Sequence, residues 1–156
     1  MIVLGIESSC DETSAAVVEE TGDAERPWGI RSNAIASQAA IHREWGGVVP
    51  ELASRQHLRD ICGVTELALA DARVGWRDLD AVAVTQGPGL VGSLLVGLSF
   101  AKSASVAANV PLIGVHHLAG HIESLVLQNG EMPLPAVVLV VSGGHTSLYQ
   151  IGRAHV

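Results

Sequence analysis

Two histidines four residues apart, His117 and His121 in the run His116-His117-Leu118-Ala119-Gly120-His121, have the spacing best suited to holding an ion. On a helix they stand one turn apart on the same face, as two ligands of one ion must, while His116 points elsewhere at that pitch. Two imidazoles do not finish a coordination shell, no third ligand is evident, and a surface or structural pair has the same spacing. A zinc protease needs His-Glu-x-x-His, with the Glu as general base. Leu118 follows His117 here, so peptidase chemistry fits poorly.

Three further segments set polar groups beside apolar runs. Ser8-Ser9-Cys10-Asp11-Glu12-Thr13 reads as a tight hairpin. Its amides and hydroxyls can meet a phosphate, and its carboxylates can hold a metal–phosphate complex or position a reacting group. An ordinary solvated hairpin has the same composition. Gly87-Pro88-Gly89-Leu90-Val91-Gly92 falls at a strand-to-helix junction, where glycines allow close backbone approach and a helix amino terminus is open to an anion. It is neither a Walker loop nor a dinucleotide fingerprint, and close helix–sheet packing accounts for these glycines more simply. Val140-Val141-Ser142-Gly143-Gly144-His145-Thr146 is a buried strand opening into small residues, either a ligand-facing backbone or a plain turn between strands.

The elements that must position these groups follow from periodicity. Residues 1–6 are almost wholly apolar and read as a strand buried on both faces. A turn over 7–13, a returning strand around 15–18, an exposed connection over 19–27 and a third strand at 30–37 follow. Pro50 suits the first turn of a helix to about residue 72, with Leu58, Ile61, Cys62, Thr65 and Leu69 at helical spacing. A strand at 80–85 leads to a helix from Leu90, with Val91, Leu94, Leu95, Leu98 and Ala101 expected on its packed face. Another strand at 111–115 precedes the histidine helix, which runs to about residue 127. A strand at 135–141 comes next, and a last one at 147–151 has no visible partner after it. A hairpin followed by alternating strands and helices indicates an α/β domain with a mixed sheet.

Composition narrows the classes. The chain has 156 residues, 48% of them hydrophobic and 16% charged, which fits a packed domain rather than disorder. With aromatics at 3%, the core must come from Val, Leu, Ile and Ala. The longest apolar stretch is broken by Lys102, short of the roughly 20 residues a bilayer requires. No membrane association is expected, and the start carries no secretory pattern. Cys10 and Cys62 make no disulfide framework, consistent with a reducing cytosol. A net charge of −7 weighs against a nucleic-acid partner, unless a local basic patch, a basic partner protein or a further domain compensates.

Taken in order, the segments GIESSCDETSAAVV, GGVVPELASRQH, TQGPGLVGSLLVG, GVHHLAGHIES and LVVSGGHTSL extend from residue 5 to 148. With these five the chain resembles the TsaD family, the tRNA adenosine threonylcarbamoyltransferases once described as O-sialoglycoprotein endopeptidases. The resemblance implies an RNase-H-like, actin-like lobe with a mixed sheet and flanking helices, the second lobe being absent. On this basis residues 1–150 are the amino-terminal lobe, with the second lobe starting from about 135. It implies transfer of a threonylcarbamoyl group from its AMP anhydride to the N6 amine of adenosine-37 in tRNAs that read codons starting with adenine. It also implies one divalent metal, with iron favoured and zinc the alternative. His117 and His121 would be two of its ligands, and a carboxylate of the second lobe a third. Asp11 and Glu12 would be the catalytic or positioning groups. Ser9 would face the phosphate, and Val140, Val141, Ser142, Gly143, Gly144 and His145 would border the bound adenylate.

Further implications are tRNA and threonylcarbamoyl-AMP as substrates and a cytoplasmic location. The expected partners are a noncatalytic TsaB-like paralogue and a small TsaE-like ATPase, the helices after Pro50 and Gly89 offering faces for the paralogue. Family members are roughly twice this length, so the chain as it stands is not expected to catalyse transfer. Residues 151–156, Ile-Gly-Arg-Ala-His-Val, translate ATC GGA AGA GCA CAC GTC, a common sequencing-adapter read, and are set apart as a non-native tail. Two other readings compete: an actin-like ATP-dependent phosphotransferase, and the noncatalytic scaffold paralogue. The kinases do not need the histidine pair and the paralogue lacks it, so His117 and His121 discriminate against both.

Overall fold

The computed structural model describes residues 1–130, 132–142 and 146–152. Strand β1 (Ile2–Glu7) pairs antiparallel with β2 (Glu12–Glu20), which pairs antiparallel with β3 (Trp28–Ser37). A short helix α1 (Ala39–His42) leads to the long helix α2 (Pro50–Ala72), with Pro50 at its start, where the missing N–H costs nothing. Strand β4 (Ala81–Gly87), helix α3 (Val91–Ala108) and strand β5 (Leu112–His116) form a parallel crossover, and β4 runs parallel to β1. The sheet order is β3-β2-β1-β4-β5. Helix α4 (His117–Asn129) follows β5 directly, and β6 (Ala136–Val141) and β7 (Thr146–Ile151) make a separate antiparallel pair. The last strand therefore has a partner, but one that precedes it in sequence.

Alternation along β1 divides the labour of the sheet. Leu4 and Ile6 point into the main core, where Val17, Ile61, Leu69, Val82 and Val84 meet them under α2 and α3. Gly5 and Glu7 face the other way, toward α4, and are only half-buried. The sequence expectation of a strand buried on both faces thus holds for residues 3, 4 and 6 and fails where the sheet opens into a groove. Glu7, expected in the turn, is the last residue of β1, so the turn spans only 8–11.

Helix α2 packs through Ala53, His57, Ile61, Thr65 and Leu69, while Leu58 and Cys62 are exposed. Helix α3 departs further from expectation. Its buried residues are Ser93, Gly97, Ala101 and Ser105, whereas Val91 and Leu95 are exposed. Small side chains at every fourth position let the helix axis approach the sheet closely, which the leucine face would prevent. By length and composition α3 is the one helix among the described residues that could cross a membrane, despite Lys102; its small-residue stripe instead packs on the sheet and α2.

Candidate active site

The polar end of β1, the turn after it and the start of α4 converge. His116 ends β5 in an extended conformation and serves as the N-cap of α4, so His117 is the first helical residue. One turn later His121 lies over it, with the two rings edge to face and centroids 4.6 Å apart. Their Nε2 atoms are 3.2 Å apart. His116 sits at the strand end and does not join them.

The other nitrogen of His117 turns back toward the sheet. Its Nδ1 lies 3.2 Å from Glu7 Oε2 and 3.1 Å from Ser9 Oγ. The Thr85 hydroxyl, from the neighbouring strand, donates to Glu7 Oε2 at 2.5 Å, and the Ser9 amide donates to Glu7 Oε1. Burial pushes the Glu7 carboxyl up, but hydrogen bonds from Thr85, Ser9 and His117 outweigh it and hold the group below its ordinary value. Glu7 is thus a carboxylate at neutral pH. The side chains of His117 and Glu7 remain 23% and 33% exposed, open to a groove of about 370 Å³ that Ser14, His121 and Ser124 also line.

The turn itself is held from the opposite side. Ser8 Oγ donates to the Ser93 carbonyl, and the Leu90 amide donates to the Ser9 carbonyl at 2.8 Å. Gly89 passes so close that a Cβ there would fall 2.6 Å from Ser9 O. Close packing therefore requires a glycine at position 89. Asp11 is half-buried and Glu12, which opens β2, is exposed; neither carboxylate joins the network around His117. Burial raises the Cys10 thiol above its ordinary value, with Asp11 and Glu7 adding to the effect.

Of the other residues singled out in the sequence, Val140 and Val141 end β6, which packs beside α4, and Ser142 follows them. Gly143, Gly144 and His145 lie outside the described residues, as do residues 153–156 of the tail. Among the described residues no group of three His, Cys, Asp or Glu side chains is placed to hold a metal, so the histidine pair stands as two donors. Glu7 and Thr85 are the site members that sequence reasoning missed. The signal available was a lone carboxylate closing an otherwise apolar strand.

The remaining cavities carry less chemistry. The groove of about 270 Å³ between α4 and the sheet is lined by Val3, Val18, Trp28, Val126 and Leu127, with only Arg26 and Glu123 charged.

The family model described as TsaD, tRNA N6-adenosine threonylcarbamoyltransferase, matches residues 29–155. A relative of that name from Moorella thermoacetica is 59% identical over 94% of this chain and 41% of its own length. One from Fusobacterium nucleatum is 52% identical over 99% of this chain and 43% of its own. The chain therefore spans about two fifths of the length of the curated relatives it matches. Among solved structures, YeaZ from Pseudomonas aeruginosa superposes with a TM-score of 0.59 at 15% identity, covering 95% of this chain and 63% of that one. T. thermophilus RuvC in complex with a Holliday junction substrate superposes at 0.52 and 18% identity, covering 86% and 84%. These two likenesses speak to fold alone, and the fold they share with this chain is RNase-H-like.

Proposed function

The chain belongs to the TsaD family of tRNA N6-adenosine threonylcarbamoyltransferases, and from that premise we propose that it is the amino-terminal lobe of an enzyme moving a threonylcarbamoyl group from threonylcarbamoyl-AMP to the N6 amine of adenosine-37 in tRNA. In that reaction the amine nitrogen attacks the carbamoyl carbon and a C–N bond forms. The bond from that carbon to the phosphate oxygen breaks, AMP leaves, and the amine gives up a proton. Asp11 and Glu12, at the turn after β1, are the proposed groups for orienting the amine or accepting that proton. Ser9 and the segment from Val140 to His145 are proposed to border the adenylate.

The observation that carries the reading is the approach of His117 Nε2 to His121 Nε2 at 3.2 Å. Two imidazole nitrogens this close either share a proton or turn both lone pairs to one cation, and the donor set suits iron or zinc. Such an ion, when bound, supplies Lewis acidity and an anchor for the carbamoyl group. A third protein ligand would come from sequence beyond this chain, which by itself is expected not to turn over. The cytoplasm, a noncatalytic paralogue and a small ATPase belong to the same proposal.

The test is His121→Ala in the full-length chain. The variant is expected to fold, to lose its bound metal by elemental analysis, and to lose transfer to tRNA. Full transfer by a metal-free variant would overturn the reading.

A further inference from the structure

The carboxylate of Glu7 is committed three times over in a place where the proposed reaction gives it no task. It closes β1 on the groove face, receives the Thr85 hydroxyl and the Ser9 amide, and lies 3.2 Å from His117 Nδ1. Thr85 brings β4 into the contact and His117 brings α4, so three elements of the lobe meet at one side chain.

The hydrogen placement follows from charge. Glu7 is an acceptor, and among the described residues the other group at His117 Nδ1 is the Ser9 hydroxyl, 3.1 Å away. If the Ser9 hydroxyl donated to Nδ1, the nitrogen lone pair would face a carboxylate oxygen and repel it. If Nδ1 carries the hydrogen, both neighbours accept from it. The second arrangement wins, and it leaves the Nε2 lone pair of His117 aimed at His121.

Resting on the metal reading above, we propose that Glu7 is a positioning residue that fixes His117 in its Nδ1–H tautomer, and that Thr85 steers the Glu7 carboxylate into place. A histidine that binds an ion through one nitrogen is commonly oriented in this way through the other. Glu7 lines the same groove as the two imidazoles, but its contact with the pair is at His117 Nδ1, and it acts through the ring of His117.

The experiment uses the full-length chain with ¹⁵N-labelled histidine, metal-free, together with zinc titration by calorimetry. In the wild type His117 should give the ¹⁵N pattern of an Nδ1–H imidazole. Glu7→Ala should shift His117 toward the other tautomer and weaken zinc binding by about 10–100-fold. Glu7→Gln, whose single acceptor oxygen cannot serve both the Ser9 amide and His117, should fall between the wild type and Glu7→Ala. Thr85→Val should move the His117 signals in the same direction as Glu7→Ala, and to a smaller extent. An unchanged His117 pattern in Glu7→Ala, or in both Glu7→Gln and Thr85→Val, would overturn the inference. Should Glu7→Ala fail to fold, the Gln and Thr85→Val proteins decide. Should the wild type bind no zinc or iron, the metal reading falls, while the tautomer comparison on metal-free protein still judges Glu7.

Discussion

At the scale of single residues, the buried His57 shows how the turn after β1 is held. It is fully buried, its Nε2–H donates to the Cys10 carbonyl at 3.1 Å, and its Nδ1 accepts from the Thr13 hydroxyl at 2.8 Å. His57→Ala leaves the Thr13 hydroxyl unpaired beside a cavity, and should destabilise the fold by roughly 2–4 kcal/mol in urea denaturation. Gln38, His42 and the amide of Val49 continue the chain of hydrogen bonds into the loop before α2. Spacing made the pairing of His117 with His121 legible, because helical pitch relates residues four apart. It could not reveal Glu7 or His57, whose partners lie 110 and 44 residues away and meet only when strands and helices pack. Asp11 and Glu12 were the conspicuous carboxylates because they sit together in a polar run. The carboxylate that reaches the imidazole is the one an apolar strand hides.

At the scale of elements, α3 and the turn are fitted to each other with almost no clearance. Gly89→Ala would drive a methyl into the Ser9 carbonyl, an atom of the backbone that cannot rotate away. We expect this variant to lose about 1–3 kcal/mol, measured as a lower thermal or urea midpoint, as overpacked cores do. The strand and helix order was readable from apolar periodicity, and the span of α2 was set by Pro50 at one end. The packed face of α3 was not readable in the same way. Hydrophobicity marks Val91, Leu94, Leu95, Leu98 and Ala101; closeness of approach keeps Ala101, adds Ser93, Gly97 and Ser105, and leaves Val91 and Leu95 exposed. Packing distance, not transfer free energy, decided which side faces inward.

At the scale of the whole molecule, the two sheets differ in how much of themselves they cover. The five-stranded sheet has α2 and α3 on one face and α4 on the other, whereas β6 and β7 leave Val137, Leu139, Val141 and Leu148 on an open apolar face. In a chain of the relatives' length this face is expected to be covered. Leu139→Asp should then cost the full-length protein about 2 kcal/mol or more, seen in its urea midpoint. The same change should leave the stability of the 156-residue chain nearly unaltered. The alternating plan of the lobe was legible in the sequence because β1, β4, β5 and β6 are short, largely apolar runs. The pairing of β7 back onto β6 was not, since a strand's partner is a property of the register between two segments. One junction ties these scales together: β5 ends at His116 and α4 begins at His117, with no residue between them. Lacking slack there, the imidazoles inherit the stiffness of a hydrogen-bonded edge. A sideways drift of β5 against β4 would carry His117 bodily away from Glu7, so the precision of the site is only as good as the ladder beneath it.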